Sequence, residues 1–179
     1  AWDISSVDFL RQYGAGGITK IPSALITDHK LCKYARERFD YLIISTGMST
    51  EEEIEHCVQT CNPDVIMHTN STYPTPVKEL NLKYIEWLTK RYNTEVGYSG
   101  HEYGLTTTFA TVAMGVTWIE RHITLDRTMW GSDHIASVEP GGLFKLVKGI
   151  RDIEQALGQF GPRKIFPSEL EKRKTLRGR

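Results

Sequence analysis

Short apolar runs alternate with amphipathic stretches along most of the chain, and polar turns separate them. Runs of this length, bounded by Gly, Pro, Asn or Ser, are typical of buried β-strands. The predicted strands are Ile18 to Ile21, Tyr41 to Ile44, Val65 to Met67, Val96 to Tyr98 and Trp118 to Ile123. Strands that alternate with helices indicate βαβ units and a parallel sheet, so the predicted fold class is α/β.

Helical periodicity fills the intervals between the predicted strands. A first helix is predicted over residues 5–13. Ser49 followed three residues later by Glu52 indicates a capping box at the start of another helix. A longer amphipathic helix is predicted with Pro140 near its first turn and Gly158 at its end.

The number of strand–helix units bears on the architecture. A closed (β/α)8 barrel needs eight units and typically about 250 residues, whereas this chain has 179 residues and fits five units. An open doubly wound sheet accommodates five units. The pattern alone therefore favours the open sheet.

Composition places the chain among globular proteins. Hydrophobic residues make up 40% and charged residues 25% of the sequence. Its 22 basic and 22 acidic side chains cancel, so we expect neither nucleic acid nor a membrane surface as a partner. No apolar run approaches the roughly 20 residues that span a bilayer. No signal-peptide pattern is present, and three cysteines suit a reducing compartment, so we expect a cytoplasmic protein.

The charge is unevenly distributed, because residues 162–179 are strongly basic. Such a segment either binds nucleic acid or is a solvated terminal tail. The solvated tail is favoured, since Phe166 is the only aromatic residue in the segment. We therefore predict a folded domain over residues 1–161 and a basic tail over residues 162–179.

Polar side chains follow every predicted strand at its carboxyl end. Parallel α/β folds place their sites at that edge, because helix N-termini and loop amides converge there. A single hydroxyl at such a position often only caps the next helix. A lysine together with several hydroxyls on one rim favours an anion site, such as a phosphate site. The residues concerned are Lys20, Ser23, Ser45, Ser71 and Ser99.

Two histidines, His101 and His122, end neighbouring predicted strands, which lie roughly 5 Å apart in a sheet. Two neutral imidazoles and water hold a divalent transition metal with open positions, although a hydrogen-bonded pair is an alternative. Period-two alternation places Glu120 on the same face as His122. Glu120 is then a partner that orients the His122 ring, a proton-transfer group, or the partner of an ion pair with Lys20 across the sheet.

Residues 126–134 follow the last predicted strand and are rich in charged and hydroxyl side chains, which is typical of a substrate loop. Asp133 and His134 are candidates to hold sugar hydroxyls. Cys57 and Cys61 share the apolar face of a predicted helix, so we expect them to pack in the core. The histidines without an indicated function are His29, His56 and His68.

Several motifs together resemble the sialic acid synthase (N-acetylneuraminate synthase) family, and the resemblance covers essentially the whole chain. The motifs are Lys20-Ile21-Pro22-Ser23, Ser45-Thr46-Gly47-Met48, Tyr73-Pro74-Thr75-Pro76, Gly97-Tyr98-Ser99-Gly100-His101-Glu102, Glu120-Arg121-His122-Ile123-Thr124-Leu125-Asp126 and Gly131-Ser132-Asp133-His134. The resemblance implies a partial TIM (β/α)8 barrel that covers strands four to eight. It replaces the open sheet, makes residues 1–161 a partial catalytic barrel domain, and makes the basic tail a linker.

The resemblance also implies an activity, the condensation of phosphoenolpyruvate with N-acetylmannosamine or a related 2-acetamido sugar. The products are a nine-carbon sialic acid and phosphate. His101 and His122 are the implied ligands of a divalent metal, manganese or magnesium, and both are catalytic together with Glu120. The implied contacts of phosphoenolpyruvate are Lys20, Ser23, Ser45, Ser71 and Ser99. The implied sugar contacts are Tyr73 and Asp133.

Three alternatives remain. Ala24-Leu25 stand where the family often has glycine and an acidic residue that helps to bind the sugar, which permits a different amino sugar. A related metal-dependent phosphoenolpyruvate aldol enzyme is a second reading. An inactive or truncated barrel remnant that serves only as a pairing subunit is the third. A partial barrel exposes two strand edges, so we expect the missing strands or a homo-oligomer to complete it.

Overall fold

The computed structural model describes residues 1–14 and 17–177, and within these ranges it contains seven α-helices and five β-strands. The helices are α1 (Ile4–Gln12), α2 (His29–Arg38), α3 (Glu51–Cys61), α4 (Tyr84–Tyr92), α5 (Thr106–Ala113), α6 (Pro140–Leu157) and α7 (Pro167–Arg177). The strands are β1 (Ile18–Ile21), β2 (Tyr41–Ser45), β3 (Val65–Thr69), β4 (Glu95–Gly100) and β5 (Ile119–Arg121).

The strands form one parallel sheet in the sequential order β1-β2-β3-β4-β5. Each strand is added on the same side of its predecessor, whereas a doubly wound sheet reverses direction at a switch point. The sheet is thus a half-barrel, as the resemblance implied, and the open doubly wound sheet is wrong. Periodicity gives the number of units but carries no information about the direction of winding.

The two faces of the sheet bury different sets of residues. The outer face packs against the helices, for example Ile44 and Ile66 of the strands against Ile54 and Leu88. On the inner face Ile43, Val65 and Met67 form a smaller cluster, and Tyr41 and Trp118 pack against it. Cys57 and Cys61 are buried in the outer core, which confirms the expected core packing.

The absence of a side chain at Gly97 allows Met67 and Trp118 to pack closely over β4 on the inner face. A Cβ atom on Gly97 would lie 2.2 Å from the Sδ atom of Met67 and 2.8 Å from the Cβ atom of Trp118. A side chain at residue 97 would therefore displace the Met67 side chain and crowd Trp118, the residue before β5.

Two predicted helix ends can be compared with the structure. Helix α3 has a capping box, but one residue later than predicted: the Thr50 hydroxyl accepts from the Glu53 N–H, and the Glu53 carboxylate accepts from the Thr50 N–H. The predicted box of Ser49 and Glu52 is therefore wrong. The sequence does not distinguish the two registers, because each offers a hydroxyl three residues before a glutamate. Helix α6 begins at Pro140 and is followed by Gly158, as predicted.

The basic segment contains a helix that the sequence did not reveal. Helix α7 has no buried residue, in agreement with a solvated segment. Gly178 and Arg179 of the predicted tail lie outside the described residues. None of the helices in the described ranges is long and apolar enough to cross a membrane.

We expect Gly97→Ala to lower the free energy of unfolding by about 1–3 kcal/mol, because the new methyl group overpacks the inner face. Urea unfolding of the chain measures the change. The control is Gly141→Ala, because a Cβ atom on Gly141 meets no heavy atom within 4 Å. That variant should stay within about 0.5 kcal/mol of the parent protein. Equal effects of the two substitutions would contradict the close packing at Gly97.

Candidate active site

A cleft of about 550 Å³ opens at the carboxyl ends of the strands. The structure brings ten of the eleven sequence-derived candidate residues to this one surface, and His134 is the exception. The ten are Lys20, Ser23, Ser45, Ser71, Tyr73, Ser99, His101, Glu120, His122 and Asp133. Ala24 and Met48 also line the cleft.

The two histidines meet because of the register between β4 and β5. Gly100 pairs with Arg121 at the end of the ladder, so the next residues, His101 and His122, are neighbours. Their ring centroids are 5.0 Å apart and the rings are perpendicular. The imidazoles therefore converge, as expected from their positions at adjacent strand ends.

A backbone contact sets the orientation of the His101 ring. Its Nδ1 atom lies 2.7 Å from the Asn70 carbonyl oxygen, so Nδ1–H donates to that oxygen and Nε2 keeps its lone pair. Burial lowers the pKa of His101; the Asn70 hydrogen bond opposes this, and the charges of His122 and Lys20 add to the lowering. His101 is therefore a neutral imidazole at neutral pH, the form that binds metals.

Tyr73 borders both imidazoles. Its ring stacks on His101 with centroids 4.2 Å apart and presents its edge to His122 at 5.5 Å. The Tyr73 hydroxyl lies 3.3 Å from the Nε2 atom of His101. Burial raises the pKa of Tyr73, and the carboxylates of Asp133 and Glu120 raise it further. Tyr73 therefore stays a neutral phenol.

Lys20 and Glu120 form an ion pair, which is one of the three interpretations of Glu120 that the sequence left open. The Nζ atom of Lys20 lies 2.6 Å from the Oε1 atom of Glu120, and the Ser99 hydroxyl donates to the same oxygen at 3.0 Å. Burial alone would raise the pKa of Glu120, but the ammonium and the hydroxyl lower it by more, and the net shift is downward. Glu120 is therefore an ionised carboxylate, able to accept a proton.

The hydroxyls on the rim surround a small space next to Gly47. The Gly47 N–H donates to the Ser23 hydroxyl at 3.0 Å. A Cβ atom on Gly47 would lie 2.2 Å from the Ser71 oxygen and 2.9 Å from the Ser23 oxygen. The buried Ser45 hydroxyl has no hydrogen-bond partner within the described part of the chain. This set of donors is suited to an anion.

The loop after β5 places only one of its two candidates in the cleft. The Oδ2 atom of Asp133 lies 3.6 Å from the Nδ1 atom of His122, beyond hydrogen-bond distance. His134 does not line the cleft, because its Nδ1 atom contacts the Thr124 hydroxyl at 2.7 Å. A contact of His134 with the sugar stays a prediction.

The other histidines lie on the outer side of the sheet. The Nε2 atom of His68 contacts the Leu80 carbonyl oxygen at 2.6 Å. His29 and His56, which the sequence left without a function, face each other across α2 and α3 with two ring nitrogens 2.9 Å apart. Helical periodicity within one helix does not predict such a contact between helices.

The sequence did not reveal two contributions to the site, the Asn70 carbonyl and the buried ion pair of Glu102 with Arg121. The Asn70 carbonyl could not be predicted, because every residue has a backbone carbonyl and the sequence does not show which one will contact a site residue. The sequence does offer a signal for Glu102 and Arg121, because each is a charged residue directly next to a site histidine.

The donor set of the site is small. Across residues 1–14 and 17–177, no group of three or more His, Cys, Asp or Glu side chains is arranged to hold a metal ion. His101 and His122 could thus supply two ligands to a metal ion, and the other coordination positions would be left to water or substrate.

Comparison with known proteins decides the family. The model of the NeuB family matches residues 1–161. The chain belongs to the NeuB family of sialic acid synthases.

The relatives of this NeuB chain are named as synthases of several related sugars. It is 35% identical to the N,N'-diacetyllegionaminic acid synthase of Legionella pneumophila, over 98% of this chain and 51% of that protein. It is 40% identical to the human N-acetylneuraminate-9-phosphate synthase, over 72% of this chain and 37% of that protein. This chain thus spans about half the length, or less, of the curated relatives it matches.

A solved structure matches almost the whole NeuB chain. The N-acetylneuraminic acid (sialic acid) synthetase of Leptospira borgpetersenii, crystallised with citrate, superposes with a TM-score of 0.85 at 32% identity. The match covers 99% of this chain and 64% of that one.

We expect Lys20→Met to raise the pKa of Glu120, because the substitution removes the ammonium and leaves the burial. A ¹³C NMR titration of the glutamate carboxyl groups measures the shift. The control is Lys148→Met, since Lys148 pairs with Asp152 on the surface of α6. A Glu120 pKa that stays low in Lys20→Met would contradict the assigned role of the ion pair.

Proposed function

We propose that this chain carries the phosphoenolpyruvate and metal sites of a sialic-acid-type synthase. The proposed reaction condenses phosphoenolpyruvate with N-acetylmannosamine, or a related 2-acetamido sugar, to a nine-carbon sialic acid and phosphate. One observation carries the proposal, namely that an imidazole pair and a lysine–hydroxyl anion receptor face the same cleft. The family and the named activities of its relatives support it.

His101 and His122 would hold a divalent metal ion. The lone pair on Nε2 of His101 and the lowered pKa of that ring support this assignment. Two imidazoles suit manganese better than magnesium, which prefers oxygen ligands. The bound ion would act as a Lewis acid that polarises the sugar aldehyde.

The lysine and the hydroxyls would bind phosphoenolpyruvate. Lys20 supplies a positive charge for the phosphate or carboxylate group, and the serines supply hydrogen bonds that keep those groups in place while charge shifts. The Ser45 hydroxyl supports this assignment most directly, because it is buried in the cleft without a partner among the described residues. The proposed contacts are Lys20, Ser23, Ser45, Ser71 and Ser99.

Glu120 would transfer the protons. Carbon three of phosphoenolpyruvate forms a bond to the aldehyde carbon, which leaves an alkoxide on the sugar and oxocarbenium character at carbon two. A water oxygen bonds to carbon two, and the Glu120 carboxylate accepts one of its protons and passes it to the alkoxide. The bond from carbon two to the phosphate oxygen then breaks, and the remaining hydroxyl proton leaves with the phosphate.

Tyr73 and Asp133 would contact the sugar. Tyr73 is a neutral phenol next to both imidazoles, and Asp133 is an exposed carboxylate at the rim of the cleft. Leu25 carries no charge where the family often has an acidic residue, so a 2-acetamido sugar other than N-acetylmannosamine remains part of the proposal.

Further strands would complete the barrel. Within the described ranges β1 and β5 each pair with one neighbouring strand only, so each leaves one edge without a strand partner. On β1 the Lys20 carbonyl oxygen accepts from the amino group of Ala1 at 2.6 Å. We propose that a further segment of the polypeptide, another chain or a second copy pairs with these edges.

We expect His101→Ala and His122→Ala each to reduce manganese-dependent turnover by on the order of 100-fold or more, because each removes a proposed ligand. The assay supplies phosphoenolpyruvate with a panel of 2-acetamido aldoses and detects products by mass spectrometry. The chain is tested alone and grafted into the Leptospira synthetase in place of the segment it matches. The control is His56→Ala, which removes an imidazole on the outer side of the sheet.

Unchanged turnover in both site variants of an active graft would refute the metal assignment. A product formed from a different class of aldehyde would favour the related aldol enzyme. A graft that folds, binds neither substrate and makes no product would favour the inactive remnant.

We expect Gly47→Ala to raise the KM for phosphoenolpyruvate about tenfold, because a methyl group there fills the space between the Ser23 and Ser71 hydroxyls. The KM for the sugar should stay within about twofold. Steady-state kinetics of the graft measure both constants, with Gly141→Ala as the control. A selective increase in the sugar KM would show that the anion receptor is wrongly assigned.

A further inference from the structure

We propose that the buried ion pair of Glu102 and Arg121 is a positioning device that fixes the separation of the His101 and His122 rings. The consequence for metal affinity rests on the proposed function, whereas the positioning of the rings does not.

The position of the pair in the sequence is the first reason. Glu102 directly follows His101, and Arg121 directly precedes His122. The Nη1 atom of Arg121 lies 3.3 Å from the Oε1 atom of Glu102, and the two side chains are only 2% and 0% exposed. The pair therefore joins the two segments that carry the imidazoles, on the outer side of the sheet.

Glu102 is held from several sides. Its Oε1 atom accepts hydrogen bonds from the hydroxyls of Thr107 at 2.8 Å and Thr108 at 2.7 Å. Its Oε2 atom accepts from the Tyr98 hydroxyl at 2.9 Å. The carboxylate thus fixes the segment after β4 to β4 itself and to the start of α5.

Arg121 connects its own strand to two other segments through their backbone carbonyls. Its guanidinium donates to the carbonyl oxygens of Glu102 at 2.7 Å, Gly104 at 2.8 Å and Ala136 at 3.3 Å. The first two belong to the segment after His101. The third belongs to the turn that follows Asp133. One side chain therefore holds the segments of His101 and Asp133 against the strand that leads to His122.

The backbone leaves the pair little freedom to rearrange. A Cβ atom on Gly100 would lie 2.6 Å from the Oε2 atom of Glu102 and 3.0 Å from the Cδ atom of Arg121. Buried ion pairs often add little net stability compared with an apolar replacement, but they define one geometry. Positioning, rather than stability alone, is the role that we infer.

The test uses the full chain with His56→Ala in every protein, because the His29–His56 pair also has two adjacent ring nitrogens. Glu102→Gln keeps the shape of the side chain and removes its charge. Arg121→Lys keeps the charge and loses the forked guanidinium. Two quantities are measured: the Co²⁺ dissociation constant by calorimetry, and the ¹⁵N NMR ring resonances of His101 and His122 without metal.

We expect both variants to raise the Co²⁺ dissociation constant about tenfold or more. Removal of a group that orients a metal ligand typically weakens metal binding by about that factor. We also expect the ring resonances to shift in the metal-free protein. The matched control is Asp64→Asn, which breaks the 2.6 Å pair with Arg36 at the other end of the strands. That variant should lose stability with unchanged Co²⁺ binding and unchanged ring resonances.

A second variant covers the case in which an unpaired buried charge prevents folding. Glu102→Met combined with Arg121→Met removes both charges together, and should fold while losing the bonds to the Gly104 and Ala136 carbonyls. Folded variants with Co²⁺ binding within twofold and unmoved ring resonances would overturn the proposal. If the parent protein binds no Co²⁺, the proposed metal site fails, and the ring resonances alone decide whether the pair positions the histidines.

Discussion

The hydrogen-bond register between β4 and β5 is the constraint on which the candidate site depends. The ladder pairs Ser99 with Glu120 and Gly100 with Arg121, so that His101 and His122 emerge side by side at the same edge. Since side chains alternate between the faces of a strand, a slip of one residue would turn one imidazole toward the helices. The same register brings the Ser99 hydroxyl to Glu120 and leaves Arg121 on the outer face, where it meets Glu102.

The side chains on the two faces of β5 have different roles. Toward the cleft, Glu120 pairs with Lys20 and accepts from the Ser99 hydroxyl, so the lysine is held in place beside the hydroxyls of the rim. Toward the helices, Arg121 satisfies the backbone carbonyls of the neighbouring loops. The hydrogen bonds of Arg121 thus hold these loops against β5. On the cleft side, the Ser45 hydroxyl has no hydrogen-bond partner among the described residues.

The sequence predicted those parts of the molecule that leave a local signal. Apolar runs located every strand in the described ranges, and strand ends located His101 and His122 because the carboxyl edge collects polar groups. Period-two alternation placed Glu120 on the same face as His122. The direction of winding leaves no such signal, since a half-barrel and a doubly wound sheet have the same periodicity; the barrel came from the resemblance. The Asn70 carbonyl was invisible because it is a backbone atom, and the start of α3 was misplaced because Ser49 and Thr50 cap equally well.

The most direct measurement of the central claim is electron spin-echo envelope modulation of Mn²⁺ bound to the chain in a His56→Ala background. Two imidazole rings that share one cation predict nitrogen coupling from two histidines, reduced to one in either His101→Ala or His122→Ala. A Mn²⁺ ion without imidazole coupling, or with coupling that survives both substitutions, would contradict the account.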